Sequence, residues 1–384
     1  MRCHGEEFNG SPPALPLLWI CGAPAAGKST TAWALFQRVA REGVAVAYLD
    51  IDQVGMLYPE SEVDPERFRL KTEALNALIP NYAASGARAL IVSGVLDPET
   101  PAGATEHPDA HVTRCLLDTP ETTLRRRILE RGWDQADADE VVAEAATLRD
   151  AGIADASIDT AGASLEEVVD RIRPLLSTLE TSVGAAGRPR MWSAGQAGLV
   201  AITGTRAVGT STIGFGLARS SWDRGSMTGF ADLDQLSFVR NVEGNGPAAT
   251  VLGVSNLASL HELFTARGAV RLIASCHLRG SAEHDLVRRV SAGNTVTIVR
   301  LRADAETIAA HVRERTSGSE ARLAGDDVVG ATPEHQAEVV RNALAQQATL
   351  DVQADEDILI EVSRRTVDTV LAQTENLLVP ADAS

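Results

Sequence analysis

Two nine-residue segments of this chain share one frame: GAPAAGKST at 22–30 and GTRAVGTST at 204–212. They stand 182 positions apart (204 minus 22). The same shift relates LDIDQV, from Leu49, to ADLDQL, from Ala231, and pairs Gly86 with Gly268 and Ser93 with Ser275. A period this long, held over separate blocks, indicates a tandem domain duplication rather than a solenoid. The second copy therefore acts as an internal control on the first.

Short β-rich runs alternate with longer helical patterns. Segments 17–21, 44–49, 89–93, 112–117 and 154–159 read as strands, and 28–41, 65–84, 121–131, 138–149 and 165–176 as helices. The second copy repeats the order, with 295–301 and 358–362 as its fourth and fifth strands. Alternation of this kind implies an α/β fold, a parallel sheet with helices on both faces. The expected organisation is a flexible arm over 1–14, one domain over 15–180, a Gly/Ala/Ser-rich linker over 181–197, and a second domain over 198–378.

The first segment fits G-x-x-x-x-G-K-[ST] and lies between an apolar strand and a helix, the context that makes such a loop a phosphate site. Gly22 and Gly27 permit the tight path. The backbone N–H groups of Ala25, Ala26, Gly27, Lys28, Ser29 and Thr30 then converge at a helix N-terminus that favours anions. Lys28 would reach the β- and γ-phosphates, and Ser29 would ligate Mg²⁺. The second segment keeps Gly204, Gly209, Ser211 and Thr212, but Thr210 stands where the lysine should be. Arg206 lies inside that loop at the place of Pro24, which is wrong for simple replacement.

Asp50 and Asp52 follow the second strand in YLDIDQVG. Alternation points both carboxylates to one side, at the strand end where ligands of parallel sheets sit. One can hold Mg²⁺ and the other can accept a proton from an attacking hydroxyl. The third strand, ALIVSG, ends without an acid, so Asp50 is left as the metal-side carboxylate; Asp97 is a weaker candidate.

GAPAAGKST, an Asp-x-Asp about twenty residues after it, and an arginine-rich helix beyond together resemble the P-loop small-molecule kinases. That group includes shikimate, gluconate and adenylyl-sulfate kinases and chloramphenicol phosphotransferase. The resemblance covers most of 15–180. It implies two P-loop NTPase domains with sheet order 2-3-1-4-5. It also implies nucleotide, Mg²⁺ and base roles for Lys28, Ser29, Asp50 and Asp52, with ATP and Mg²⁺ as cofactors. In the resembled kinases the arginines after the fourth strand form a lid over the phosphates. Arg127 and Arg131, four apart on one helix face, are the best placed of Arg125, Arg126, Arg127 and Arg131.

Arg67, Arg69 and Lys71 could face an acceptor carboxylate or phosphate, or form a solvated helix face. In the second copy Val251 and Gly253 replace Arg69 and Lys71. After the fourth strand the offset grows to 184 (301 minus 117), which sets Ala309, Ala310 and His311 against Arg125, Arg126 and Arg127, while Arg315 matches Arg131. The lost cations are those that would touch phosphate, whereas Asp232, Asp234 and Gln235 remain. The second copy therefore reads as a degenerate domain with a structural or regulatory role.

The first copy is expected to transfer a phosphoryl group from ATP to a hydroxyl of a small metabolite or natural product. The rivals are a nucleotide-dependent switch or scaffold and a nucleoside or nucleotide kinase. No N/TKxD element for guanine is present, which favours ATP. The net charge of −17 argues against nucleic acid or an anionic membrane surface as partner. The N-terminal stretch does not read as a secretion signal, and no apolar run is long enough to span a membrane. Four unpaired cysteines, Cys3, Cys21, Cys115 and Cys276, suit a reducing compartment. A cytoplasmic protein is expected, with its domains paired within the chain and a homodimer left open.

Overall fold

The computed structural model describes residues 14–98, 107–180, 190–195, 197–240, 247–317, 323–353 and 357–378. Nearly all of the expected arm and most of the expected linker lie outside them, as does 99–106. Twelve strands are described: β1 (Leu15–Cys21), β2 (Val46–Asp50), β3 (Leu57–Tyr58), β4 (Ala89–Ser93), β5 (Ala110–Asp118), β6 (Ala156–Asp159), β7 (Gly198–Gly204), β8 (Thr228–Asp232), β9 (Val239–Arg240), β10 (Arg271–Cys276), β11 (Val296–Arg302) and β12 (Ile358–Glu361). They form two six-stranded sheets, β6-β5-β1-β4-β2-β9 and β12-β11-β7-β10-β8-β3.

The chain divides into two compact units. The first holds the described parts of 1–48, 82–187 and 239–244; the second holds those of 49–81, 188–238 and 245–384. The units are thus not continuous in sequence. β9 pairs antiparallel with β2, Val46 opposite Arg240. β3 pairs antiparallel with β8, Leu57 opposite Gly229. Each sheet therefore carries an antiparallel edge strand that the expected five-stranded pattern lacks. Strands of two residues leave no periodicity in the sequence to read.

In the first unit β1 lies between β4 and β5, with Leu17 opposite both Leu90 and Val112. Its run LPLLWIC is buried throughout, as a central parallel strand covered on both faces must be. The helix Lys28–Arg41 follows the loop and buries Thr31, Ala32, Leu35, Phe36 and Val39, one stripe at helical spacing. In the second unit β7 holds the same place between β10 and β11. The helix Thr210–Asp223 buries Ile213, Leu217 and Ala218 in a core shared with Ile202, Phe230, Ile273 and Val299. Among the described residues, no helix is long and apolar enough to cross a membrane.

Candidate functional site

The loop after β1 has the backbone of an anion cradle. Gly22, Ala25 and Gly27 have φ of 148°, 61° and 100°, values that only glycine adopts at little cost. A Cβ on Gly22 would stand 3.0 Å from the carbonyl oxygen of Leu117. Within the loop, Ala26 N–H donates to the Ala23 carbonyl at 3.1 Å. Lys28 Nζ donates to the same oxygen at 2.9 Å. The lysine is thus held back along the loop, with Ser29 and Thr30 exposed at the head of the helix.

The helix Glu121–Glu130 sends Arg127 onto this loop. Its Nη1 donates to the carbonyl oxygens of Ala25 and Ala26 at 3.0 and 3.2 Å. Burial, helped by the neighbouring Arg126 and Arg131, lowers its pKa from the usual guanidinium value. Arg125 and Arg126 turn away, to Glu121 and Asp139 and to Glu130. Arg131 forms no ion pair among the described residues. It lines, with Gly27, Thr30 and Arg127, a cavity of about 230 Å³ whose far wall is Ala163, Leu165 and Val168. Sequence reasoning missed that wall. Its signal was Ser164-x-x-Glu167, a capping box: Ser164 Oγ accepts the Glu167 N–H at 3.3 Å, and Glu167 Oε2 accepts the Ser164 N–H at 2.7 Å. The first unit therefore brings together the loop residues from Gly22 to Thr30 with Arg127 and Arg131.

Asp50, Asp52, Arg67, Arg69 and Lys71 fall in 49–81, within the second compact unit. Asp50 ends β2, but Asp52 sits beyond the strand in a 3₁₀ turn. Asp50 Oδ1 caps that turn by accepting the Asp52 N–H at 3.1 Å. Strand alternation therefore does not set the direction of Asp52. Its Oδ1 pairs with Lys71 Nζ at 2.7 Å. Arg67 has φ 57° and stacks its guanidinium 4.1 Å from the centroid of the Tyr58 ring. Asp64 accepts the N–H groups of Arg69 and Leu70, so the helix starts at Phe68 rather than at Pro65. Arg69 forms no ion pair among the described residues.

The second loop follows the same path. Gly204, Ala207 and Gly209 have φ of 159°, 63° and 105°. Thr210 is buried, and Thr212 is exposed. Ser211 Oγ and Ser275 Oγ donate to Asp232 Oδ2 at 2.9 and 2.8 Å, while Asp232 Oδ1 accepts the Asp234 N–H at 3.0 Å. Burial and the nearby Asp234 charge push the Asp232 carboxyl up. Burial would raise Asp234 too, but its pair with His277 outweighs that and holds it low. His277 escaped the repeat comparison because its first-copy slot is Val95. At Gly253, the slot of Lys71, a Cβ would lie 2.1 Å from Ser237 Oγ, so a side chain there requires that hydroxyl to move. His311, the slot of Arg127, places Nδ1 2.9 Å from the Ala207 carbonyl oxygen, so a shorter side chain reaches the matching point of the loop.

A family model described as an AAA domain matches residues 18–147, under half of the chain. No curated protein matches the sequence. Solved structures similar to it include a gluconokinase from Sinorhizobium meliloti, 15% identical over 48% of this chain and 98% of that one, with a TM-score of 0.31. A tunicamycin resistance protein from Deinococcus radiodurans is 20% identical over 43% of this chain and 98% of its own (TM-score 0.33). The APS kinase of Mycobacterium tuberculosis, in complex with AMPPNP and APS, is also 20% identical, over 43% and 98% (TM-score 0.32). Scores of this size leave the chemistry to be read from the chain's own residues.

Proposed function

We propose that the first copy transfers a phosphoryl group from ATP to a hydroxyl of a small-molecule acceptor, and that the second is a degenerate duplicate kept for structure or regulation. The observation that carries this reading is Arg127, fastened to two carbonyls of the first loop in the wall of a cavity that Arg131 also lines. Phosphoryl transfer asks a protein mainly for positioning and for charge to offset that on the moving group. The loop N–H groups and Lys28 would hold the phosphates. Arg127 and Arg131 would close on them from the lid, and the apolar wall by Leu165 suits the nucleoside.

No group of three or more His, Cys, Asp or Glu converges among the described residues. Ser29 and Asp50 are the oxygen donors that the resemblance offers to Mg²⁺, an ion that usually takes its other ligands from phosphate oxygens and water. When bound it supplies positive charge to the β- and γ-phosphate oxygens. Asp52 would orient the acceptor hydroxyl or take its proton, and Arg67, Arg69 and Lys71 are the nearest cations in sequence for an anionic acceptor.

Paired features support duplication. Ala25 and Ala207 share a left-handed backbone. Asp50 and Asp232 cap the same turn. Arg127 and His311 meet the same loop carbonyl. The test is transfer of label from γ-labelled ATP to metabolites of a cell extract, with Mg²⁺. Wild-type protein should label a small molecule and Lys28→Ala should not. Equal labelling by the two proteins would end the proposal, and label released only as inorganic phosphate would favour a switch.

A further inference from the structure

Two cations at the second loop, Arg206 within it and Arg315 at the slot of Arg131, are both held by carboxylates of one dipeptide. Arg206, inside the loop, directs its guanidinium fork at both carboxylate oxygens of Asp327. Asp327 also meets His335 Nε2 at 3.2 Å. Arg315, which survives at the slot of Arg131, donates from Nε to Asp326 Oδ2 at 2.9 Å. The Asp326 side chain is only 6% exposed, and its Oδ1 accepts the Val328 N–H at 3.1 Å.

The segment carrying these acids is anchored as well as charged. Val328 is buried with Val312 and Val339, and Ala207 of the loop packs against that cluster. Gln235, beside the acid pair, donates its amide to the Ala324 carbonyl at 3.0 Å. Burial of Val328 supplies non-directional hold; the carboxylates supply the negative charge that a loop of this shape would otherwise take from a ligand. The first loop differs: Arg127 rests on carbonyls, and Arg131 lines a cavity without a carboxylate partner among the described residues.

We propose that Asp326 and Asp327 are internal ligands of the second loop, latching 323–330 onto it, so that the chain loads one triphosphate and not two. That the loaded loop is the first rests on the function proposed above; the latch itself does not.

Amide hydrogen exchange on the full chain, read by mass spectrometry with and without Mg²⁺ and AMPPNP, tests both parts. In the wild-type protein the nucleotide should slow exchange at 22–30 and leave 204–212 unchanged. Asp327→Asn and Arg206→Gln should each speed exchange at 323–330 about fivefold, the scale of a partly exposed ion pair, with β7 amides unchanged as the control for folding. The charge swap R206D/D327R should restore protection, which a merely damaged fold would not. Protection of 204–212 by nucleotide equal to that of 22–30 overturns the proposal. So does unchanged exchange at 323–330 in both single variants. Protection of neither loop counts against the transfer reading alone, and the variants then decide the latch.

Discussion

Lys71 Nζ stands 2.7 Å from Asp52 Oδ1, and its stem reaches that point across a glycine. A Cβ on Gly55 would lie 2.6 Å from Lys71 Cγ, so the open space at Gly55 is what lets the lysine through.

If Asp52 assists the acceptor hydroxyl, Asp52→Asn lowers kcat by about 100-fold or more, the usual worth of general-base help. Lys71→Met costs less, about fivefold, as a partly exposed ion pair should. Gly55→Ala pushes the same way, and G55A/K71M is no worse than K71M alone, because both act on one contact. Rates of acceptor-dependent ADP release check all four proteins; a D52N enzyme at full speed removes the base role.

Arg127→Ala should weaken AMPPNP binding roughly 10- to 100-fold, in line with the loss of charge-assisted hydrogen bonds. Arg127→Lys should recover little, since one ammonium does not replace the guanidinium at two carbonyls. Titration calorimetry measures this. An unaltered Kd for R127A would take the lid out of the site.

Burial pushes the Cys21 and Cys115 thiols up to about 12, and Cys276 also well above its usual value, with Asp232 and Asp234 adding to the effect. At pH 8 these three should resist a thiol-alkylating reagent in the native protein and react once urea unfolds it. Peptide mapping distinguishes them, and native labelling of any one contradicts the packing around it.

His284 and Asp357 form a buried charge pair in the second unit, their side chains 4% and 1% exposed. Nδ1 of the histidine faces the Gly280 carbonyl at 3.0 Å, and Nε2 stands 3.1 Å from Asp357 Oδ2. Burial works against that charge, but Asp357 and the Gly280 bond outweigh it and raise the histidine above 6.5. Asp357 is held below 3.8, its own burial outweighed by His284 and Arg288. The histidine contribution is therefore full below pH 6.5 and lost as pH rises through the raised value. The aspartate contribution is full above pH 3.8 and lost as pH falls through the lowered one. His284→Gln should cost roughly 1–2 kcal/mol at pH 6, since Arg288 still pairs with Asp357, and flatten the decline of Tm above neutrality. A variant melting like wild type at pH 6 and pH 9 would refute the pair.

Long, strongly patterned features were legible in the sequence. The helix Lys28–Arg41 begins and ends where the loop motif and the apolar stripe place it, and β4 is the run ALIVS without change. What escaped had no local signature. β3 and β9 are two residues each, and their partners lie far along the chain. The Asp52–Lys71 pair depends on how a turn and a helix meet, and on the missing side chain of Gly55. Asp326 and Asp327 stood outside the repeat comparison, which reveals what one copy lost and is blind to what the other gained.

The crossed edge strands bear on how this protein can be divided. A polypeptide severed between its halves would leave β2 and β8 each without the strand that caps its sheet, baring a row of unpaired amides and carbonyls of the kind that seeds aggregation. Made alone, each half of the sequence would present one bare sheet edge.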